Sequence, residues 1–155
     1  MDDYSITLPV SDSYMTISGI FTVSKDSEND FREKLEGFAL YFKREFKYDF
    51  IQYEANEHFY EENKYSGFLF SEMAWDQLEE AEPAQYRLFG GGCFRWRELQ
   101  DHDPAWVLDW VWIHPFFRHR GYLSKHWKFL KQEYGDFLVE RPLSADMEKF
   151  LAKHT

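Results

Sequence analysis

The chain has 155 residues, of which 44% are hydrophobic and 21% aromatic, and carries a formal net charge of −10. That length and apolar share suit one domain spanning 1–155 with an aromatic-rich core. The acidity argues against a nucleic-acid partner, which such a surface repels, and no apolar run approaches the roughly 20 residues that cross a bilayer, so no membrane partner is expected.

Met15 to Val23 is rich in β-branched residues and predicts a strand. Ser27 and Asp30 then form an S-x-x-D helix start, and Phe31, Leu35, Phe38, Phe42 and Phe46 recur at helical spacing as a core-facing stripe. Tyr48 to Tyr60 predicts a second, irregular helix. Tyr65 to Phe70 is a short aromatic strand, and Ser71 to Glu82 is an acidic helical turn or loop. Tyr86 to Trp96 reads as a strand interrupted by Gly90, Gly91 and Gly92, which imply a bulge or the close approach of another backbone or a ligand. A polar link from Gln100 to Pro104 leads into Ala105 to Ile113, a nearly continuous apolar run predicted to be a central strand covered on both faces. After Pro115 come a turn, a helix from Leu123 to Tyr134 that Gly135 stops, a strand from Phe137 to Val139, and a last helix opened by Ser144. The order predicts an α/β domain with a mixed sheet, antiparallel at first and closed by a parallel strand-helix-strand crossover.

Met1, Asp2 and Asp3 lack the basic start of a signal peptide, and the single Cys93 lies in an apolar, glycine-rich stretch. Both fit a cytoplasmic protein with a small buried thiol. Acidic residues crowd between Glu54 and Glu82, as a solvated face or as a lip that attracts an amine.

Residues 113 to 128 break this acidity. The strand ends at Ile113, Pro115 stops its ladder, and Gly121 precedes a helix, so amides of residues 119 to 124 can converge on an anion. Arg118, Arg120, Lys125, Lys128 and Lys131 add positive charge, with no Asp or Glu from Trp112 to Gln132. The plainer alternative is an exposed basic helix face with an ordinary turn glycine.

Ile113-His114-Pro115-Phe116-Phe117-Arg118-His119-Arg120-Gly121-Tyr122-Leu123 resembles the coenzyme motif of the GNAT superfamily of N-acetyltransferases, a strand ending in V-x-P followed by R/Q-x-x-G-x-G/A and a helix. Pro115, Arg118 and Gly121 match, Ile113 replaces valine, and Leu123 departs from the usual small residue. The resemblance implies a GNAT-like fold and an acetyl-CoA cosubstrate whose pantetheine arm pairs with Val111, Trp112 and Ile113. It places the diphosphate on Arg118, His119, Arg120, Gly121, Tyr122, Leu123 and Ser124. A primary amine, small molecule or peptide, would attack the thioester directly.

Such chemistry needs a base and a thiolate donor. Asp109, the carboxylate inside the strand, is the candidate base; its alternative is a structural pair with Arg95 or Arg97. The family's tyrosine donor is matched by Leu151, and Tyr122 or Tyr134 substitutes only where the fold brings a ring to the sulfur. The family's last two strands are also missing, which leaves the acceptor side open, completed by a second copy in a homodimer, or absent. A CoA-binding or interaction module without catalysis is therefore the rival reading. His114, His119 and His126 match no zinc spacing, so no metal is expected.

Overall fold

A long hairpin over residues 86–113 forms the centre of the sheet. The computed structural model describes residues 8–16, 18–56, 64–74, 85–99, 102–140 and 144–154. The strands are β1 (Val10–Ser11), β2 (Ile20–Val23), β3 (Tyr65–Met73), β4 (Tyr86–Leu99), β5 (His102–Ile113) and β6 (Leu138–Val139). The helices are α1 (Asn29–Phe46), α2 (Tyr122–Tyr134) and α3 (Ala145–His154), with 3-10 turns at Asp12–Tyr14 and, before α2, at Pro115–Phe117. The sheet runs β2-β3-β4-β5-β6, with β1 beside the start of β4. All pairings are antiparallel except β5 with β6, which is parallel, so the sheet is mixed as expected.

Side chains alternate across the pleat and build two cores. On one face Leu35, Phe38, Ala39 and Phe42 of α1 meet Leu69, Cys93, Trp110 and Trp112. On the other, Trp127, Leu130 and Tyr134 of α2 meet Phe68, Phe94 and Leu108. Phe94 stacks on Tyr134 at 3.9 Å and Phe38 on Trp112 at 5.6 Å, so aromatic rings carry much of the packing that holds the helices to the sheet.

Several expectations need correction. The strand predicted from Met15 begins at Ile20, because Gly19 takes a left-handed φ of 84° and turns the chain; its carbonyl accepts the Ser71 amide at 2.9 Å. Helix α1 is capped by the backbone of Glu28 with no side-chain bond; the Ser27 hydroxyl accepts from the Ser24 amide instead. Residues 48–56 form no helix. Tyr53 and Ala55 are buried, and the Ala55 peptide is held between Arg32 and Glu36 of α1, which replaces helical hydrogen bonds with tertiary ones. The rest of that expected helix, residues 57–60, lies outside the described residues, as do residues 75–82 of the expected acidic loop, whose first residues Ser71 to Met73 instead continue β3 in pairing with β4. The polar link is shorter than expected, since His102, Asp103 and Pro104 already belong to β5.

Gly90, Gly91 and Gly92 do not interrupt β4. The bulge falls beside them: Phe70 faces Gly90 while Ser71 faces Leu88, which makes Phe89 the extra residue. The glycines answer to close backbone approach. A Cβ on Gly92 would stand 2.5 Å from Phe68 Cζ and 2.6 Å from the Trp110 carbonyl oxygen. Gly92→Val should therefore destabilise the fold by about 3 kcal/mol through overpacking, read as a lower midpoint in denaturant; an unchanged midpoint would mean that β3 and β5 separate freely at this level.

Candidate functional site

Among the described residues strands β5 and β6 pair only briefly. Val107 faces Leu138 and Leu108 faces Val139, and the last described bond joins the Glu140 amide to the Leu108 carbonyl at 2.9 Å. On the other side of β5, Cys93 faces Trp110 while Phe94 faces Leu108, so Asp109 is the extra residue of a bulge. Added twist at a bulge turns a strand away from its neighbour, and beyond Asp109 the outer edge of β5 has no strand partner among the described residues.

The register says which backbone groups line that edge. The His114 amide donates to the Phe89 carbonyl at 2.9 Å while Ile113 faces Gly90. Gly90 and Ile113 are thus a non-hydrogen-bonded pair, as are Gly92 and Val111 two residues on. Val111 and Ile113 turn their peptide groups outward into the gap; Trp112 turns its own toward Gly91.

The loop after β5 presents amides to the same gap. His119 and Gly121 take left-handed φ values of 61° and 82°, which wind the chain into the start of α2. The first helical amide to find a carbonyl is that of Lys125, which donates to Gly121 at 2.8 Å. No acceptor among the described residues takes the N–H groups of His119 to Ser124. Converging free amides at the positive end of a helix dipole make an anion cradle.

Arg118 does a different job from the one its place in the motif implies. Its Nε donates to the Ile113 carbonyl at 2.6 Å, and its two terminal nitrogens donate to Glu45 of α1 at 2.7 and 2.5 Å. Glu45 also accepts from Trp112 Nε1 at 3.0 Å. The guanidinium thus clips the loop to the end of α1. Glu45→Ala should cost about 1–2 kcal/mol in chemical denaturation, the usual worth of a forked charge-assisted pair that is mostly shielded; no loss would show the clip to be incidental.

These elements enclose a cleft of about 940 Å³. Its walls include Asp109, Val111 and Ile113 from β5, Arg118, His119 and Gly121 to Ser124 from the loop and the start of α2, the end of α1 and one face of α3. The Asp109 side chain is 5% exposed, with Oδ2 3.5 Å from Arg95 Nε and Oδ1 without a hydrogen bond. Its pairing with Arg95 matches the structural alternative, yet burial raises its pKa to about 6, against the pull of Arg95 and with help from Glu140. Glu140 is itself bound by Arg97 at 2.6 Å. A carboxylate poised near neutrality in a cleft can exchange a proton there.

The other sequence candidates divide. His119, exposed, lies 3.6 Å from Asp146 of α3, and Ser124 Oγ lies 3.1 Å from His154 Nε2, so α3 crosses the cradle. Arg120 leaves it, with Nε on the Phe116 carbonyl at 2.6 Å. Tyr122 and Leu123 line the cleft, but the Tyr122 hydroxyl donates to Glu72, and burial together with that carboxylate raises its pKa to about 12. Tyr134 shares its hydroxyl with Ser66 on the α2 face at 2.7 Å, away from the cleft. His126 is buried against Phe70, its pKa lowered to about 4 by burial and by Lys125, and His114 Nδ1 accepts the Phe116 amide. Among the described residues no His, Cys, Asp or Glu group could hold a metal, and no helix is long and apolar enough to cross a membrane.

Sequence reasoning missed Glu45, Tyr48, Lys149 and Lys153. Tyr48 reaches the cleft because Lys47 ends α1 in a left-handed φ of 59° and folds the next ring onto Phe42 at 5.2 Å. A lysine announces no such turn. The basic spacing of Lys149 and Lys153 on α3 was the one available signal.

This mixed sheet with its flanking helices is a fold shared with solved acetyltransferase structures. The solved structure of the xEco2 acetyltransferase domain superposes with a TM-score of 0.58 at 12% identity, covering 96% of this chain and 91% of that one. An aminoglycoside acetyltransferase from an uncultured soil metagenomic sample, in complex with sisomicin, gives 0.50 at 14% identity over 88% and 85%. No protein-family model matches the sequence. No curated protein matches it either.

Proposed function

We propose that this chain is an N-acetyltransferase that takes its acetyl group from acetyl-CoA and passes it to an amine. The observation that carries the reading is the meeting, in one cleft, of the outward peptide groups of Val111 and Ile113 with the unspent amides of His119 to Ser124. An extended amide-bearing arm pairs with an open strand edge, and a diphosphate suits the cradle. Acetyl-CoA has both parts. The Ile113 carbonyl is already held by Arg118, so the arm's pairing rests on Val111 and the Ile113 amide.

In the transfer, the acceptor nitrogen forms a bond to the thioester carbonyl carbon as the carbon–sulfur bond breaks. Asp109, one residue beyond the last described pairing of β5 with β6, takes the proton that the ammonium form must lose; its raised pKa lets it accept and return that proton near neutral pH. The second proton shed by the nitrogen as the amide forms ends on the departing thiolate, relayed through water or through the Tyr48 phenol, which lines the cleft. An amine is attracted by the overall charge of −10.

The test is thiol release from acetyl-CoA in the presence of a panel of amines, from polyamines to peptide N-termini. Acceptor-dependent release supports the proposal, and coenzyme binding without release on any amine favours a non-catalytic CoA-binding module. That second reading draws on Leu151 and on the committed hydroxyls of Tyr122 and Tyr134, which leave the usual donor unfilled.

A further inference from the structure

We infer that Lys149 and Lys153 on α3 form a subsite for the ribose 3′-phosphate of the coenzyme, so that the protein distinguishes CoA from its 3′-dephospho form. The inference rests on the coenzyme reading above and adds to it the side chains that meet the third phosphate.

The starting point is where the positive charge of the cleft actually stands. The guanidinium of Arg118 is consumed by Glu45 and the Ile113 carbonyl, and Arg120 turns to the Phe116 carbonyl and ring. The cradle therefore offers amides and a helix dipole, which suffice for a diphosphate, and no free guanidinium for a further dianion. Ammonium groups line the cleft from Lys47 at the end of α1 and from helix α3, and α3 is the element that reaches the cradle. Its contacts with His119 through Asp146 and with Ser124 through His154 lay it across the cradle, and Lys149 and Lys153 line the cleft between those contacts.

The two lysines stand at i and i+4, where like charges oppose helix formation. No carboxylate among the described residues pairs with either; Asp146, three residues before Lys149, is turned to His119 instead. Attraction to the helix C-terminus accounts for Lys153 in the last turn, but not for Lys149 a turn earlier. An unpaired, self-repelling lysine pair facing the cleft of an acidic protein is relieved by a ligand dianion. The diphosphate having the amides, the 3′-phosphate is the coenzyme's remaining anion, and both lysines are exposed at the rim, where a solvated group belongs.

The experiment is calorimetric titration of the full chain with CoA and with 3′-dephospho-CoA. The wild type should prefer CoA by about tenfold or more, as expected for a charge-assisted double contact. Lys149→Gln with Lys153→Gln should bring the ratio near one while leaving the affinity for 3′-dephospho-CoA within about twofold. The Lys-to-Arg pair should keep the ratio, as should Lys34→Gln, whose ammonium pairs with Asp30 on α1. The Gln pair removes a repulsion, so its thermal midpoint should not fall. Equal wild-type affinities, or an equal loss for both ligands in the Gln pair, overturn the assignment while leaving the coenzyme reading standing. Absence of binding by either ligand to the wild type overturns both.

Discussion

Gly121→Val should weaken CoA binding by at least about 100-fold, while lowering the thermal midpoint by only a few degrees. Gly121 holds φ at 82°, a region that costs a β-branched residue about 1–2 kcal/mol or more. Nothing lies within 4 Å of the Cβ position, so the penalty is torsional rather than a clash. The loop then has two ways to respond. It can return to negative φ, which turns the amides of His119 to Ser124 away from their common point, or it can keep its path and place the new side chain in the cleft. Either removes the anion site, because the binding energy of a diphosphate depends on several donors aimed at once. Gly121→Ala, with a smaller side chain and less torsional strain, should lie between the wild type and the valine variant. Calorimetry reads the affinity, and an unchanged value for the valine variant would place the phosphates elsewhere.

Asp109→Asn should lower the acetyl-transfer rate by about 10² to 10⁴, the usual contribution of a general base, and should leave coenzyme affinity nearly intact. The pH dependence carries a second signature. The carboxyl in the folded chain has a pKa of about 6 against 3.8 for the free group. The folded state binds this proton more tightly than the unfolded one, so the group's effect on stability is most favourable below about pH 4. It worsens as pH rises to about 6 and is constant above that, where it forfeits on the order of 3 kcal/mol. Asn carries no such penalty. At pH 8 the variant should equal or exceed the wild type in denaturant midpoint, and at pH 4 that difference should vanish. In turnover, the wild-type acidic limb should follow an apparent pKa near 6, and the variant should lose it. A large loss of stability in the variant at neutral pH would instead make the Arg95 pair dominant, and a normal rate would remove Asp109 from the chemistry.

The two variants probe different kinds of legibility. Gly121 stands out in the sequence because a glycine before a helix, after a proline-stopped apolar strand, has few physical explanations, and the structure gives it the positive φ that such a turn needs. Asp109 is visible as a carboxylate in an apolar run, but nothing in the run says that it forms a bulge. That follows from how Cys93 and Phe94 pair across the hairpin, a register set by distant partners. Over residues 48–56 the expected helix does not form for the same reason: Arg32 and Glu36 capture the Ala55 peptide across a sequence gap that periodicity does not span.

By itself the amino-acid order determined the local elements: the α1 stripe, the apolar β5 run, the glycine turn and the Ser144 start of α3, each governed by neighbours a few residues away. Only the tertiary structure decided that a bulge falls at Asp109 just past the described pairing of β5 with β6, that Glu45 reaches 73 residues along the chain to hold Arg118, and that α3 lies across the cradle. Those contacts depend on long-range register and on which charges become shielded together, quantities that are set when the sheet closes and have no counterpart in local propensity.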